Sequence, residues 1–180
     1  MTPAPVLVPD GVIGQNVRMR LVPVPDDATA EETLRPFLAQ SVNWSIDSPP
    51  LSDEQIAADE VLGGYLAGWG REGDTGVVIL DDEDRAVGGA WVRLPQDDWR
   101  GEGWAGDQIP ELRIAVDPDE QGKGYGTHLL RAILDLLRLS GRGSVSLAVH
   151  QLNGAGEFFA QNGFVIAGRH GDADVLLRSI

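Results

Sequence analysis

At 180 residues, 42% apolar and 23% charged, the chain has the size and composition of one globular domain. Lys and Arg total 14 against 28 Asp and Glu, and the net charge of −14 repels phosphate backbones, which makes general nucleic-acid binding a poor expectation; the charge suits cationic ligands or serves solubility alone. Cysteine is absent, which excludes disulfides, thiolate metal sites, iron–sulfur clusters and a cysteine nucleophile, and no apolar run reaches the ~20 residues of a membrane helix.

Residues 1–15 carry Pro and Gly with little pattern and read as a flexible N-terminal arm, leaving 16–180 as a single domain. With no basic residue from Met1 to Val8, this arm is no secretory signal, and a reducing, cytoplasmic setting is expected. Val17, Met19 and Leu21 alternate with Arg18, Arg20 and Val22, which predicts a strand. Thr29 and Glu32 have the spacing of a capping box and open a helix, which Pro36 is expected to kink or split before Gln40. Residues 42–51 form a loop with two prolines. Ser52 and Gln55 repeat the capping-box pattern and predict a second helix reaching about Leu66. Residues 77–80 and 86–94 make a hairpin whose acidic tip, Asp81 to Asp84, faces water rather than a metal. A long loop over 95–109 precedes a strand at 112–116, an apolar helix at 124–139 and a strand at 145–149. A short helix over 153–161 stops at Asn162-Gly163, and strands at 164–167 and 174–177 end the chain. The order is α+β with one strand–helix–strand unit. His128, His150 and His170 are too widely spaced to suggest a metal site, and none is expected.

The chemistry concentrates in Ile114-Ala-Val-Asp-Pro-Asp-Glu-Gln-Gly-Lys-Gly-Tyr-Gly126, where a strand runs through a glycine-rich turn into a helix. Gly122, Gly124 and Gly126 let backbone N–H groups approach an anion, and the helix adds the positive end of its dipole, so together they suit a diphosphate. The P-loop and dinucleotide spacings are both absent. Alone, G-x-G-x-G is equally a tight strand-to-helix connection.

The flanks carry more. Gln121-Gly-Lys-Gly-Tyr-Gly126 resembles the Q/R-x-x-G-x-G/A arm of the GNAT superfamily of N-acetyltransferases. About 30 residues on, Asn153-Gly-Ala-Gly-Glu-Phe-Phe-Ala-Gln-Asn-Gly-Phe164 resembles that family's second signature. The order of elements also matches, from about Val17 to Leu177. The resemblance implies the acyl-CoA N-acyltransferase fold: α/β/α layers and a mixed, mostly antiparallel sheet of six to seven strands with a splayed parallel pair and about four helices. It further implies that acetyl-CoA is the co-substrate. Its pantetheine would lie between strands ending near Val116 and Val149 and pair with backbone of Ile114, Ala115 and Val116. Gln121, Gly122, Lys123, Gly124, Tyr125, Gly126 and Thr127 would hold the pyrophosphate. Asn153 would hydrogen-bond the pantetheine or only cap its helix, and Phe158 would pack beside the cofactor or only fill the core.

The family's usual tyrosine, which protonates the leaving thiolate, is replaced here by Phe159. Tyr125, another group or water takes that role, or the thiolate leaves unprotonated, which its ordinary pKa of ~8.5 permits. Glu111 and His150 are the two candidates for receiving the amine's proton. Trp44, Asp97, Asp98, Trp99 and Trp104 suit a cationic acceptor through charge and cation–π contacts, or the tryptophans only pin a long loop. The expected activity is direct acetyl transfer to a primary amine, small or peptidic, in a ternary complex, by a monomer or homodimer with no membrane partner. The rival expectation, favoured by Phe159, is a non-catalytic acyl-CoA sensor of the same fold.

Overall fold

The computed structural model describes residues 12–13 and 17–180; the rest of the arm expected over 1–15 lies outside the described residues. The expected strand at 17–22 divides. Val17–Arg18 (β2) pairs with Val12–Ile13 (β1), while Arg20–Pro23 (β3) joins the main sheet. That sheet continues with β4 (Thr75–Leu80), β5 (Ala86–Arg93), β6 (Glu111–Val116), β7 (Ser144–His150), β8 (Val165–His170) and β9 (Ala173–Ser179). The seven strands lie in the order β3-β4-β5-β6-β7-β9-β8, antiparallel except for the parallel pair β6-β7. The hairpin tip is exposed from Asp82 to Arg85, and Asp81 closes it by accepting from the N–H groups of Glu83 and Arg85.

Helix α1 (Thr29–Val42) starts where expected but without a capping box: its N-cap is Ala28, and the Asp27 carboxylate takes the Thr29 N–H at 2.9 Å instead. Pro36 does not split it. Pro36 and Glu32, whose carbonyl loses its partner, are both exposed, so water can satisfy the freed group. The Ser52–Gln55 capping box does form, yet the helix it opens, α2 (Asp53–Ala58), is short. Asp59 leaves helical geometry at ψ 126° and recaps a new turn, α3 (Glu60–Gly63), by accepting from Val61 and Leu62 N–H.

Two apolar layers sandwich the sheet. Helix α4 (Tyr125–Leu139) buries Leu129, Leu130, Ile133, Leu134 and Leu137, a 3.6-residue repeat, against Val77, Ile79, Ala90, Val92 and Leu112. Helix α5 (Ala155–Gln161) extends this layer through Phe158 and Phe159. On the other face α1, α2 and the chain to Leu66 cover Val78 and Trp91 through Leu34, Phe37, Leu38 and Ile56. Among the described residues, five α-helices and a 3₁₀ turn (Pro118–Glu120) thus stand where four helices were expected, the extra one coming from the break at Asp59.

Candidate active site

The parallel pair β6-β7 is joined only at Glu111 and Ser146, after which the strands separate. Alternation along β6 shows what the separation leaves free. Asp117 N–H donates to Val87 O on β5, and Pro110 O accepts from Ser146 N–H on β7. Odd residues of β6 therefore aim their backbone at β5, and Leu112, Ile114 and Val116 aim theirs at the gap. Ala115, expected to pair with a ligand through its backbone, instead spends that backbone on Gly89 and lines the cleft otherwise.

The cleft has a volume of about 1000 Å³. Its floor is β6 and β7, one wall the end of α1 with Asn43 and Trp44, and the other the starts of α4 and α5. The glycine arm closes its far end. Gly122 and Gly124 adopt φ of +77° and +85°, a turn that L side chains rarely accept, and Gly124 is the N-cap of α4. This aims the unpaired N–H groups of the first turn at the cleft. Gln121, Gly122, Gly124, Tyr125, Gly126 and Thr127 all line it. Lys123 does not: its ammonium pairs with Glu120 at 2.7 Å. Gln121 Nε2 donates to Val116 O at 3.2 Å, holding the arm to the strand end.

Asn153 Oδ1 accepts from Ala155 N–H at 3.0 Å, one residue before the Gly154 N-cap, so it holds the start of α5, while its amide NH₂ stays available at the cleft wall. Phe158 and Phe159 line the cleft; Phe159 is 5% exposed and stacks edge-on against Phe158 and Phe164. Gln40, missed in the sequence, also lines it. Its Nε2 donates to Asp117 at 2.6 Å, and its Oε1 is buried without a partner, as expected of an acceptor awaiting a ligand.

Glu111, the first residue of β6, is buried. It is 1% exposed beneath a strap of Gly101, Glu102 and Gly103. Oε1 accepts from the Tyr65 hydroxyl and, at 2.6 Å, from Gly103 N–H, while Oε2 is unpartnered. The strap fits only because two of its residues are glycines: a Cβ on Gly101 would stand 2.1 Å from Glu111 Oε2, and one on Gly103 2.4 Å from the Leu147 carbonyl carbon. Burial pushes the Glu111 carboxyl above its ordinary pKa, against the opposing pull of Tyr65, Arg113 and Gly103. Burial likewise raises the Tyr65 hydroxyl. Arg113, two residues along the same strand face, lines the cleft, lies over the Tyr65 ring at 4.0 Å and pairs with Glu102. Arg113 and Tyr65 carried no local signal; only the two-residue alternation from Glu111 placed Arg113 on its face.

His150 stacks on Trp44 with ring centroids 4.8 Å apart, and its Nδ1 accepts from Leu152 N–H at 3.2 Å. The lone pair of the neutral ring is thereby occupied, so His150 has no free acceptor for an amine proton. Of the five expected acceptor residues only Trp44 lines the cleft. Trp99 is instead a pin: its indole N–H donates to Val61 O at 3.0 Å and its ring meets Tyr65 edge-on. That contact carries Asp97 and Asp98 toward α3, away from the cleft. Trp104 is half exposed and bonded to Asp107 at 3.1 Å. Among the described residues no cluster of three metal-ligating side chains occurs, and no helix is long and apolar enough to cross a membrane.

The chain resembles several solved structures, at identities that speak for the fold alone. The PaiA N-acetyltransferase of Thermoplasma acidophilum, solved with coenzyme A, is 16% identical with a TM-score of 0.61, over 92% of this chain and 100% of that one. A GNAT-family acetyltransferase from Staphylococcus aureus is 15% identical with a TM-score of 0.62, over 89% and 99%. A ribosomal-protein alanine N-acetyltransferase from Escherichia coli is 18% identical with a TM-score of 0.56, over 89% and 94%. No curated protein matches the chain. The model of the acetyltransferase (GNAT) family matches residues 38–164, a span that holds the splayed strands, the glycine arm and the Asn153 helix. With that match over more than two thirds of its length, the chain belongs to the acetyltransferase (GNAT) family.

Proposed function

We infer that this acetyltransferase moves an acetyl group from acetyl-CoA directly to a primary amine while both are bound. The observation that carries this is a single cleft holding two kinds of unpaired backbone: the gap-facing edge of Ile114 with the Val116 N–H, and the N-terminal turn of α4 behind Gly124. The first suits an extended amide-bearing arm, the second a diphosphate. In the reaction the amine lone pair attacks the thioester carbonyl, a C–N bond forms, the C–S bond breaks and the nitrogen loses a proton. Backbone N–H groups at the gap stabilise the oxyanion. Glu111 lies beneath the strap next to Leu112 rather than on the cleft surface; it is the carboxyl whose proton affinity burial has raised, and it is the better of the two candidates to receive the amine's proton, by relay, because His150 is occupied.

Phe159 donates no proton. Tyr125, Ser41 and Thr127 bring hydroxyls to the cleft, and thiolate itself is a fair leaving group at neutral pH, so the loss of a general acid slows transfer by roughly 10²–10⁴-fold without forbidding it. The same residue favours a second reading, an acyl-CoA sensor without turnover. Thiol release from saturating acetyl-CoA across a panel of amines decides between them. Release that depends on the amine supports transfer; calorimetric binding of CoA with no release from any amine supports the sensor.

A further inference from the structure

Eight large apolar side chains are exposed among the described residues, and five of them lie on segments that flank the cleft, Trp44 being the one that lines it. Trp44, Ile46 and Leu51 come from the loop after α1, Trp104 from the strap loop and Leu152 from the turn after β7. Hydrogen bonds and packing hold these three segments together. Asn43 Nδ2 donates to Leu51 O at 2.9 Å and Asn43 Oδ1 accepts from Leu51 N–H at 2.8 Å, so the loop between them is closed at its base beside the cleft wall. Trp44 leaves that base to stack on His150, whose Nδ1 holds Leu152 N–H. Gly103 lies against the Leu147–Ala148 backbone, three residues before His150, and so sets Trp104 over the same strand. Ile46 is 98% exposed and Leu152 83%, which is costly for side chains of this size unless something covers them.

The charge on this rim says what could cover it. Residues 43–54 contain Asp47, Asp53 and Glu54 and no Lys or Arg, whereas the strap-loop acids Glu102 and Asp107 are already paired with Arg113 and Arg100. A small amine entering the cleft would touch Trp44 but leave Ile46 and Leu152 in water. An acceptor that reaches both must extend past the mouth, present apolar side chains and carry positive charge.

Resting on the transferase reading above, we propose that the acceptor is the amine of a polypeptide whose neighbouring residues are apolar and basic, docked across Trp44, Ile46, Leu152 and Trp104. The acidic rim attracts the basic residues and the exposed side chains bury against the apolar ones.

Thiol release at saturating acetyl-CoA tests this with three decapeptide pools and alaninamide. The first pool has a free N-terminus, Leu, Phe, Ser, Gly and Arg at random positions, and no Lys. The second is blocked at the N-terminus with one central Lys. The third repeats the first with Glu in place of Arg. The first or second pool is expected to exceed alaninamide in kcat/KM by about a hundredfold, and which of the two does so identifies the amine as terminal or side-chain. The Glu pool should fall well below its Arg counterpart. The doubly substituted Ile46→Ser, Leu152→Ser variant, altered only at exposed positions outside the cleft, should lose about tenfold or more in kcat/KM for the active pool and nothing for alaninamide. Equal kcat/KM for alaninamide and the peptide pools, or full peptide activity in the double variant, overturns the docking surface and leaves the transferase reading intact. No thiol release from any of the four, with CoA still binding, removes the transferase reading itself.

Discussion

Placing an aspartate at Gly124 sets two separable costs against each other. The first is conformational: φ of +85° and ψ of 1° lie in the left-handed region, which costs an L-residue about 1–2 kcal/mol. In a chain of this length that lowers Tm by about 2–8 °C. The second is electrostatic and appears only on binding. A carboxylate about 5 Å from a bound phosphate, at an effective dielectric of 20, costs about 3 kcal/mol per unit of charge, or between about 10² and 10³ in Kd. Gly141 supplies the control. It has φ of +74°, no atom within 4 Å of a built Cβ, and stands beyond the opposite end of α4, about 22 Å away along the axis. Gly141→Asp therefore carries the same strain and the same charge, but outside the Debye length of the cleft. Thermal melts should show both variants modestly destabilised. Calorimetric titration with CoA should show only Gly124→Asp losing affinity. A folded Gly124→Asp protein with wild-type affinity, or equal losses in both variants, would refute the assignment of this turn to the diphosphate.

Phe159→Tyr should leave CoA affinity unchanged in calorimetry and raise turnover by up to about a hundredfold, the low end of general acid catalysis; a fall in turnover with an unchanged melt would mean that the packing of this ring against Phe158 and Phe164 matters more than a hydroxyl. Burial raises the Glu111 pKa in the folded chain, so the stability tied to its proton is full below the unfolded carboxylate pKa and lost as pH rises through the raised value. The Tm of wild type relative to Glu111→Gln should therefore decline from acid to neutral pH, and a difference that instead grows would show that the folded state prefers the carboxylate. For a cationic acceptor at saturating acetyl-CoA, kcat/KM should fall as ionic strength rises from 0.1 to 1 M, where the Debye length shrinks from ~10 to ~3 Å. Asp47→Asn with Glu54→Gln should mimic part of that fall at low salt, while Asp97→Asn with Asp98→Asn, directed away from the cleft by the Trp99 pin, should not; the reverse pattern would move the acceptor path to the other end of the strap loop.

The sequence by itself determined what depends on neighbours a few positions apart. The Ser52–Gln55 cap, the apolar helix α4, the hairpin tip at Asp81 and the glycine arm all formed where they were read, because each is a local agreement between side chain and backbone. Local reading erred where a local preference met a different partner. Asp59 broke the second helix by recapping it, and Pro36 was tolerated because its side of α1 faces water. Tertiary structure alone decided the chemistry of the acceptor end. Glu111 became a buried carboxyl because Tyr65, 46 positions earlier, and Gly103, eight positions earlier, meet its side chain across the sheet. His150 lost its free nitrogen to Leu152 and gained Trp44 from the far side of the cleft. Trp99 went to Val61 and took Asp97 and Asp98 with it. A carboxylate or an imidazole reads the same in any sequence. Its proton affinity and its reach are set by the dielectric and the donors around it, and those come from segments that only the fold brings together.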